Sequence, residues 1–378
     1  MDSIARWHQG SNPVTRRWAP APSLQPDEIL SSWLCRCAMS LGTDPLRFTG
    51  ALWPGDRVWS GDLDRDPGNE RLRTLATASG FPNADIERAS LGWWANKWLG
   101  TPPRAQRAWP WIVPIGSRGP ARTGIAQFCP RCWRDDLFPY YRVSWRVSWI
   151  VACATHGTLL LDRCPSCGGP PAAHRLPLGA KHLAQCDRCG SDLRTAVATS
   201  SPTSVLALQR VATSALIDGA ASWWQWNLDT VSWFSSMRFW LGLLRQGVRE
   251  ETSPAASFMR LVAPDLERSM IRGPFDTLAT AKRATLLAVL ATIASLGGDE
   301  MLKRVQQCGV AQRHCAVWTQ QVAEARNWLQ RLSDGAVQRK ARTLTRKQSQ
   351  YGLGRPRPRH EVERMYRRLL REAEAMRE

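Results

Sequence analysis

The sequence has 378 residues, 43% of them hydrophobic, and 51 Lys and Arg against 32 Asp and Glu, a formal net charge of +19. This length exceeds one ordinary domain, and the apolar content excludes a chain that is disordered throughout. The charge predicts a polyanionic partner such as nucleic acid, with a basic but merely soluble protein as the alternative.

The start of the chain and its apolar stretches indicate the compartment. Residues Met1 to Pro20 are polar and basic and contain no signal-peptide pattern. The longest apolar stretch, Leu286 to Leu296, is about half of the roughly 20 residues that a membrane-spanning helix needs. We therefore expect a soluble cytoplasmic protein with no membrane partner. In a reducing compartment the 11 cysteines are expected to be metal ligands and core residues rather than disulfides.

Two helices are predicted in the N-terminal part. The first runs from Asp27 to Leu41, because apolar side chains recur there at steps of three and four residues. Asp27 and Glu28 are expected in its first turn, where unpaired N–H groups attract negative charge. The second helix runs from Asn69 to Ser79 and is stopped by Gly80.

Asp62, Asp64 and Asp66 form the tightest acidic cluster of the sequence. A metal-dependent nuclease needs clustered carboxylates of this kind. Four arginines lie close to them along the chain: Arg57, Arg65, Arg71 and Arg73. We expect ion pairs between the two sets rather than a metal site.

Four pairs of metal-ligating residues follow a Pro-, Gly- and Arg-rich connector at residues 101–124. The pairs are Cys129 and Cys132, Cys153 and His156, Cys164 and Cys167, and Cys186 and Cys189. Two intervening residues let a tight turn aim both side chains at one ion, and a tetrahedral site takes two such turns. Sequential pairing predicts one Cys₃His site and one Cys₄ site, and interleaved pairing is the alternative.

These ligand sets predict structural rather than catalytic metal. A catalytic zinc keeps one position open for water, whereas the protein supplies all four ligands at both predicted sites. We therefore expect two structural Zn²⁺ ions as the cofactors. The gap between the first two pairs accommodates a β-hairpin, and alternating hydrophobicity over Arg142 to Val151 predicts one of its strands.

The C-terminal part is expected to be helical and to end in a basic tail. The predicted helices are Thr203–Leu216, Ser222–Gln246, Thr277–Leu296, Ala316–Leu332 and Glu361–Arg377. Residues 336–378 contain 13 Lys and Arg and 5 Asp and Glu. This pattern predicts a helix-turn-helix-like domain with an arm that follows phosphates, and a solvated tail is the alternative. The candidate nucleic-acid-binding residues are Arg339, Lys340, Arg342, Arg346, Lys347, Arg355, Arg357 and Arg359.

The elements together predict a mainly α fold with small β zinc-ribbon elements. We divide the chain into three domains at the connector and at a Ser-, Thr- and Pro-rich hinge. They are an N-terminal helical segment at 1–124, a tandem zinc-ribbon region at 125–198 and a helical C-terminal domain with a basic tail at 199–378.

Several of these motifs resemble the TniQ/TnsD family of transposon target-selection proteins. Pro26 to Arg36 and the sequence Asp62-Leu63-Asp64 are similar to the N-terminal part of that family. The most specific match begins with Phe128-Cys129-Pro130-Arg131-Cys132. It continues through Tyr141, Arg142, Trp145, Cys153, His156, Gly157, Leu159, Leu160 and Cys164-Pro165-Ser166-Cys167-Gly168. The resemblance covers residues 20–195.

The resemblance implies a non-catalytic adaptor for cut-and-paste DNA transposition, associated with the bacterial nucleoid. Members of the family mark a target and recruit an AAA+ ATPase regulator, which engages the transposase. Some relatives bind an attachment site in DNA directly. Others join an RNA-guided CRISPR effector ribonucleoprotein, often as a head-to-tail homodimer.

Two other functions fit the residues. The first is a zinc-stabilised, sequence-specific DNA-binding regulator that reads an attachment site directly. The second is an enzyme such as a nuclease, although the sequence contains neither a Gly-x-x-x-x-Gly-Lys phosphate loop nor a Gly-x-Ser-x-Gly nucleophile motif. A neighbouring AAA+ ATPase gene favours the adaptor over the regulator. DNA cleavage that is abolished by one carboxylate substitution favours the enzyme.

Overall fold

The computed structural model describes residues 21–100, 109–115, 126–267, 273–328 and 330. These residues are mainly helical, which confirms the predicted fold class. The described residues up to Arg326 belong to one compact unit, and Asn327 and Trp328 belong to a second. The predicted helix Glu361–Arg377 and the basic residues between Arg339 and Arg359 lie outside the described residues.

Five helices lie within residues 21–100. They are α1 Leu30–Ser40, α2 Pro45–Leu52, α3 Asn69–Ser79, α4 Asn83–Arg88 and α5 Leu91–Leu99. One face of α1 packs into a shared core, which also takes Phe48 of α2, Leu75 of α3 and Ile86 of α4. The bounds of α3 are those that the sequence predicts, and α1 lies within its predicted range.

The two acidic residues predicted in the first turn of α1 lie before it, because α1 begins at Leu30. Asp27 accepts a hydrogen bond from the hydroxyl of Ser144. Glu28 is buried and accepts hydrogen bonds from Ser32 Oγ, at 2.9 Å, and from the guanidinium of Arg36. Burial raises the pKa of Glu28 and the charge of Arg36 opposes that rise. The predicted position was therefore wrong, since tertiary contacts and not the helix terminus hold both carboxylates.

The cysteine-rich segment that follows has little regular structure. Its α-helix is the short α6, Pro130–Asp135. Its β content consists of isolated antiparallel bridges: Glu28↔Arg142, Ile112↔Val147, Phe128↔Leu161, Ala152↔Leu159, Thr158↔Ser200 and Gln185↔Asp192. The predicted strand Arg142 to Val151 was wrong, because Ser144–Arg146 forms a 3₁₀ turn there.

The remaining described elements are mostly helices. They are α7 Thr203–Ile217, β1 Ala220–Trp223, β2 Trp226–Asp229, α8 Thr230–Arg249, α9 Pro254–Val262, α10 Thr280–Ser295, α11 Gly298–Gln307 and α12 Ala316–Gln321. The strands β1 and β2 are antiparallel, with Ala220 opposite Asp229 and Trp223 opposite Trp226. The longest helix, α8, contacts α9, α7 and β1 and lies at the centre of this part.

Two predicted helices of this part differ from the observed ones. The helix predicted to begin at Ser222 begins at Thr230, because the preceding residues form the β1–β2 hairpin and the carboxylate of Asp229 caps α8 through Ser232 N–H, at 3.1 Å. The helix predicted from Ala316 to Leu332 is interrupted: α12 ends at Gln321, Val322 has φ −126° and ψ 108°, and residues 323–328 are helical again.

A buried ion cluster connects the N-terminal helices to the cysteine-rich segment. Arg146 Nη1 lies 2.9 Å from Asp64 Oδ2, and Arg146 Nη2 lies 2.6 Å from Asp62 Oδ2. Asp64 also accepts hydrogen bonds from Ser31 N–H, at 2.7 Å, and from Ser31 Oγ, at 2.8 Å. Ion pairing of Asp62 and Asp64 is confirmed, but the predicted partners were wrong, because Arg146 and not a neighbouring arginine holds them, 84 and 82 residues further along the chain.

Two opposing effects act within this cluster. Burial raises the pKa of Asp64 to about 6, against the lowering effect of Arg146. Asp62 and Asp64 together raise the pKa of Arg146, although burial opposes them. Since one guanidinium is held by two carboxylates, Arg146 stays charged and is the group that keeps Asp64 ionised.

A helix must be both long and apolar to span a membrane. No single helix among the described residues is long and apolar enough to cross a bilayer. Helices α10 and α11 meet the criterion only together, with a bend of 110° between them. Core helices of globular proteins, which are mostly buried, meet the same criterion.

The substitution Arg146→Met tests the ion cluster. The Arg146 side chain is 1% exposed, so its loss leaves two buried carboxylates without a counter-charge and is expected to destabilise the fold by about 3–5 kcal/mol. The pKa of Asp64 then rises further, so the loss is larger above neutral pH than in mildly acidic buffer, where Asp64 takes up a proton. Urea unfolding of the metal-loaded protein, followed by tryptophan fluorescence, measures both effects.

Arg71→Met is the matched control. Arg71 pairs with Asp56, and these side chains are 31% and 36% exposed. Exposed pairs contribute about 0–1 kcal/mol. Equal destabilisation by the two substitutions would contradict the role given to Arg146.

Candidate metal centres

The first cluster consists of Cys129, Cys132, Cys153 and His156. Cys129 precedes α6 as its N-cap, Pro130 occupies the first helical position, and Cys132 lies in the first turn. The helix start thus aims both thiols in one direction. Cys153 and His156 lie on the turn between the partners of the Ala152↔Leu159 bridge.

The four ligand atoms of the first cluster converge on one point. Nδ1 of His156 lies 3.5 Å from Cys129 Sγ, 3.4 Å from Cys132 Sγ and 3.4 Å from Cys153 Sγ. Cys132 Sγ and Cys153 Sγ are 3.5 Å apart. The three cysteines are buried, and the side chain of His156 is mostly buried.

The second cluster consists of Cys164, Cys167, Cys186 and Cys189. Cys164 Sγ lies 3.7 Å from Cys189 Sγ, and Cys167 Sγ lies 3.8 Å from Cys186 Sγ. Cys164 and Cys186 are buried, whereas Cys167 and Cys189 are exposed. The second cluster is therefore open to solvent on one side. In both clusters the ligands come together in sequential and not in interleaved pairs.

Three of the four ligand pairs share one backbone turn. In each, the N–H four residues after the first cysteine donates to that cysteine's carbonyl, from Gly157, Gly168 and Gly190 at 2.8, 2.9 and 2.9 Å. The first cysteine's own N–H donates to the carbonyl five residues on, at 2.8, 2.8 and 2.9 Å. The three glycines have φ of 66°, 66° and 74°. These positive values explain why glycine follows each pair, because a Cβ disfavours that conformation.

The distances fit a tetrahedral divalent ion. With metal–sulfur bonds of ~2.3 Å, a tetrahedron has sulfur–sulfur edges of about 3.8 Å. The ligand atoms within each cluster all lie within 4.8 Å of one another. Both clusters can therefore hold a metal ion with no further ligand.

The charge of the thiols also favours a cation. Close contacts with the thiols of Cys132 and Cys153 lower the pKa of Cys129, and contact with Cys129 raises the pKa of Cys132. In the second cluster, hydrogen bonding from Ser191 lowers the pKa of Cys189 to about 6, and burial raises the pKa of Cys186 to about 12. A bound divalent cation deprotonates the thiols that coordinate it.

Asp135 contacts the first cluster from outside. Its carboxylate lies 2.8 Å from His156 Nε2, the ring nitrogen that faces away from the thiols. The side chain of Asp135 is 67% exposed and that of His156 is 9% exposed. A carboxylate in this position fixes the histidine tautomer and leaves Nδ1 free to bind metal. Sequence spacing did not identify Asp135, although it lies three residues after Cys132.

The first cluster is also surrounded by aromatic rings. Phe128 and Trp133 are stacked, with ring centroids 4.6 Å apart, and Trp133 meets Tyr141 edge to face at 5.0 Å. The N–H of Tyr141 donates to Ser32 Oγ, and the N–H of Ile29 donates to the carbonyl of Tyr141. The cluster and the start of α1 are thus parts of one packed region.

Residues 19–160 match the model of the TniQ family. The chain therefore contains a TniQ domain. The TniQ domain contains α1 to α6, the ion cluster of Arg146 and all four ligands of the first metal cluster. The second cluster begins at Cys164, beyond the matched residues. A search of curated proteins gives no match.

The predicted nucleic-acid-binding residues lie apart from this TniQ domain in sequence. Arg339, Lys340, Arg342, Arg346, Lys347, Arg355, Arg357 and Arg359 are all outside the described residues. Their role stays a prediction, as does the division of the chain into three domains.

The exposure of the two clusters predicts the order in which their ions are lost. Cys167 and Cys189 are exposed, whereas the cysteines of the first cluster are buried. A chelator is therefore expected to remove one ion per chain before the other, and an alkylating reagent to label Cys167 and Cys189 first. Elemental analysis and peptide mass spectrometry measure the two effects. Labelling of Cys129 before Cys189 would contradict the assignment.

The substitution Asp135→Ala tests the outer contact of His156. Loss of the carboxylate is expected to weaken metal binding at the first cluster by about 10- to 100-fold, the usual effect of removing such a partner. Competition with a chromophoric chelator measures the affinity. The second cluster, which contains no histidine, is the internal control and should keep its affinity. An unchanged first affinity would show that Asp135 does not orient His156.

Proposed function

We propose that this TniQ protein is a non-catalytic target-selection adaptor for DNA transposition. The observation that carries the proposal is the TniQ domain at residues 19–160, because that domain associates the chain with the choice of transposition targets. In this role the chain connects a target to an AAA+ ATPase regulator, which in turn engages the transposase. The target is DNA itself or an RNA-guided CRISPR effector complex that is already bound to DNA.

The second part of the proposal is that both metal clusters hold structural Zn²⁺. Sets of three or four thiolates with tetrahedral spacing suit zinc, and four protein ligands leave no position for a reacting water. The backbone around the clusters forms isolated bridges instead of strands. Bound metal ions therefore give this segment the stability that a hydrophobic core would otherwise provide. Metal binding and folding of this region are therefore coupled.

The acidic residues of the N-terminal part support an adaptor over a nuclease. A two-metal nuclease needs carboxylates that are available to cations. Asp62 and Asp64 instead hold the buried guanidinium of Arg146, and Ser31 donates two hydrogen bonds to Asp64. Their geometry is that of a structural ion cluster.

The chain's charge favours contact with nucleic acid. A formal net charge of +19 raises the local concentration of polyanions and accelerates association with them. Contacts with phosphates position a protein on DNA but do not read its sequence. The alternative function, direct reading of an attachment site, therefore needs base contacts in addition to this charge.

The experiment that tests the adaptor combines DNA with the ATPase. The purified, metal-loaded protein is bound to immobilised duplex DNA across a salt series, with random and candidate attachment sequences. An AAA+ ATPase encoded by a neighbouring gene is then added with ATP. We expect weak DNA binding that falls steeply with salt, and retention of the ATPase on DNA only when this chain is present.

The controls are the ATPase alone and this chain after removal of its metal. Failure of the intact chain to retain the ATPase would show that the adaptor proposal is wrong. Sequence-dependent binding that persists at physiological salt would establish the alternative, a direct attachment-site reader.

A further inference from the structure

One face of α8 carries a row of basic side chains. Arg238, Gly242, Arg245 and Arg249 follow one another at steps of four, three and four residues, so they lie along the same side of the helix. Arg249 and Gly242 are exposed, Arg245 is half-buried, and the Arg238 side chain is 36% exposed. With a rise of ~1.5 Å per residue, the row is about 16 Å long.

Two of the three arginines in this row have no salt-bridge partner among the described residues. Arg238 binds Asp276 at 2.7 Å, but that carboxylate also accepts hydrogen bonds from Ser148 Oγ and the N–H of Trp111. Among the described residues, no carboxylate lies within salt-bridge distance of Arg245 or Arg249. The nearest acidic neighbour along the helix, Glu250, approaches Gln246 instead, at 3.5 Å.

Arg245, the middle arginine of the row, is in an unfavourable environment. Its Nε is buried and has no hydrogen-bond partner. Burial lowers the pKa of Arg245, the charges of Arg249 and Arg238 lower it further, and the charge of Asp276 partly opposes these effects. A buried donor without an acceptor and a set of like charges both destabilise the free protein. An anion that approaches this face would relieve the repulsion among these like charges.

Gly242 is an independent sign of a ligand. Glycine inside a helix is less stable than alanine, so its presence needs a reason. A Cβ built on Gly242 meets no atom within 4 Å, and the position is exposed. Packing within the described chain therefore does not require glycine here. Gly247 on the same helix differs, because a Cβ there would lie 2.6 Å from the carbonyl oxygen of Ala255. A glycine with open space beside it permits close approach by something outside the chain.

We propose that this face of α8, defined by Arg238, Gly242, Arg245 and Arg249, binds the sugar–phosphate backbone of a nucleic acid. The row is too long for a single small anion and suits a continuous polyanion. Guanidinium groups bind phosphate with paired N–H donors, and the glycine lets the strand lie close to the helix. The inference rests on the proposed function only in that the partner is nucleic acid. It adds a phosphate-binding surface that lies outside the basic C-terminal segment.

The first test removes charge from the row. Arg245→Gln combined with Arg249→Gln is compared with Arg73→Gln combined with Arg210→Gln, which removes two exposed arginines from α3 and α7. Fluorescence anisotropy measures binding to duplex DNA and duplex RNA of one sequence across a salt series. The α8 variant is expected to bind about tenfold more weakly, and the slope of log K against log salt falls by about 2, as for two lost phosphate contacts. The control keeps affinity and slope close to those of the unmodified protein.

The second test fills the open space at the glycine. Gly242→Leu is compared with Gly50→Leu, since Gly50 of α2 is also exposed and a Cβ there also meets no atom within 4 Å. Both variants should keep the thermal midpoint of the unmodified protein or raise it, because leucine is the better helix former. Only Gly242→Leu is expected to weaken nucleic-acid binding.

The outcomes separate this inference from the proposed function. If the unmodified protein binds neither DNA nor RNA at low salt, both the nucleic-acid contact and the α8 surface are wrong. If it binds and the α8 variants match their controls, only the α8 surface is wrong. If the α8 variants lose binding to a polyglutamate peptide but bind nucleic acid as well as the unmodified protein does, the face is a protein-docking surface and the inference is wrong. A stronger effect on duplex RNA than on duplex DNA would support the inference and identify RNA as the source of the phosphates.

Discussion

The guanidinium of Arg146 is the contact on which the arrangement of the TniQ domain depends. It holds Asp62 and Asp64 and donates to the carbonyl of Val113, at 3.0 Å. Asp64 in turn receives two hydrogen bonds from Ser31, which fixes the start of α1. Because the cluster is buried, a change to any one member leaves charge without a partner in a medium of low dielectric. The N-terminal helices and the first metal cluster therefore keep one relative position.

A second set of buried polar contacts joins the metal-binding segment to the C-terminal helices. The guanidinium of Arg283 is buried and donates to the carbonyls of Ser148 and Leu278, at 2.8 and 3.0 Å. Burial lowers the pKa of Arg283 to about 10, so its charge persists at neutral pH. Thr280 N–H donates to Oδ2 of Asp162, at 2.8 Å. Asp162 lies two residues before Cys164 in the sequence. Polar groups of this kind specify one orientation, since other arrangements would leave them unpaired. Hydrogen bonds thus cross both of the predicted domain boundaries.

What could be predicted from the sequence depends on how local the controlling interaction is. The grouping of the Cys and His residues into two clusters and the bounds of α3 follow from spacings of a few residues, and both were predicted. The partner of Asp64 could not be found in this way, because Arg146 lies 82 residues further along the chain. The β1–β2 hairpin was missed for a related reason. Its tryptophans continue the apolar pattern of α8, and the turn is set by Trp224, whose φ of 56° is rare for a residue other than glycine.

The contacts of the first metal cluster show that the family match is smaller than the physical unit. The turn from Cys153 to Gly157 lies inside the matched residues, yet Gly157 accepts a hydrogen bond from Ser201 N–H, at 2.8 Å. The N–H groups of Val151 and Ala152 both donate to Gln209 of α7, at 2.8 and 3.0 Å. A fragment that ended at residue 160 would leave these two buried donors unpaired, at about 1–3 kcal/mol each. The first metal cluster therefore depends on residues as far as α7. The function of this cluster must accordingly be tested on the longer chain, in which the second cluster and α8 belong to the same compact unit.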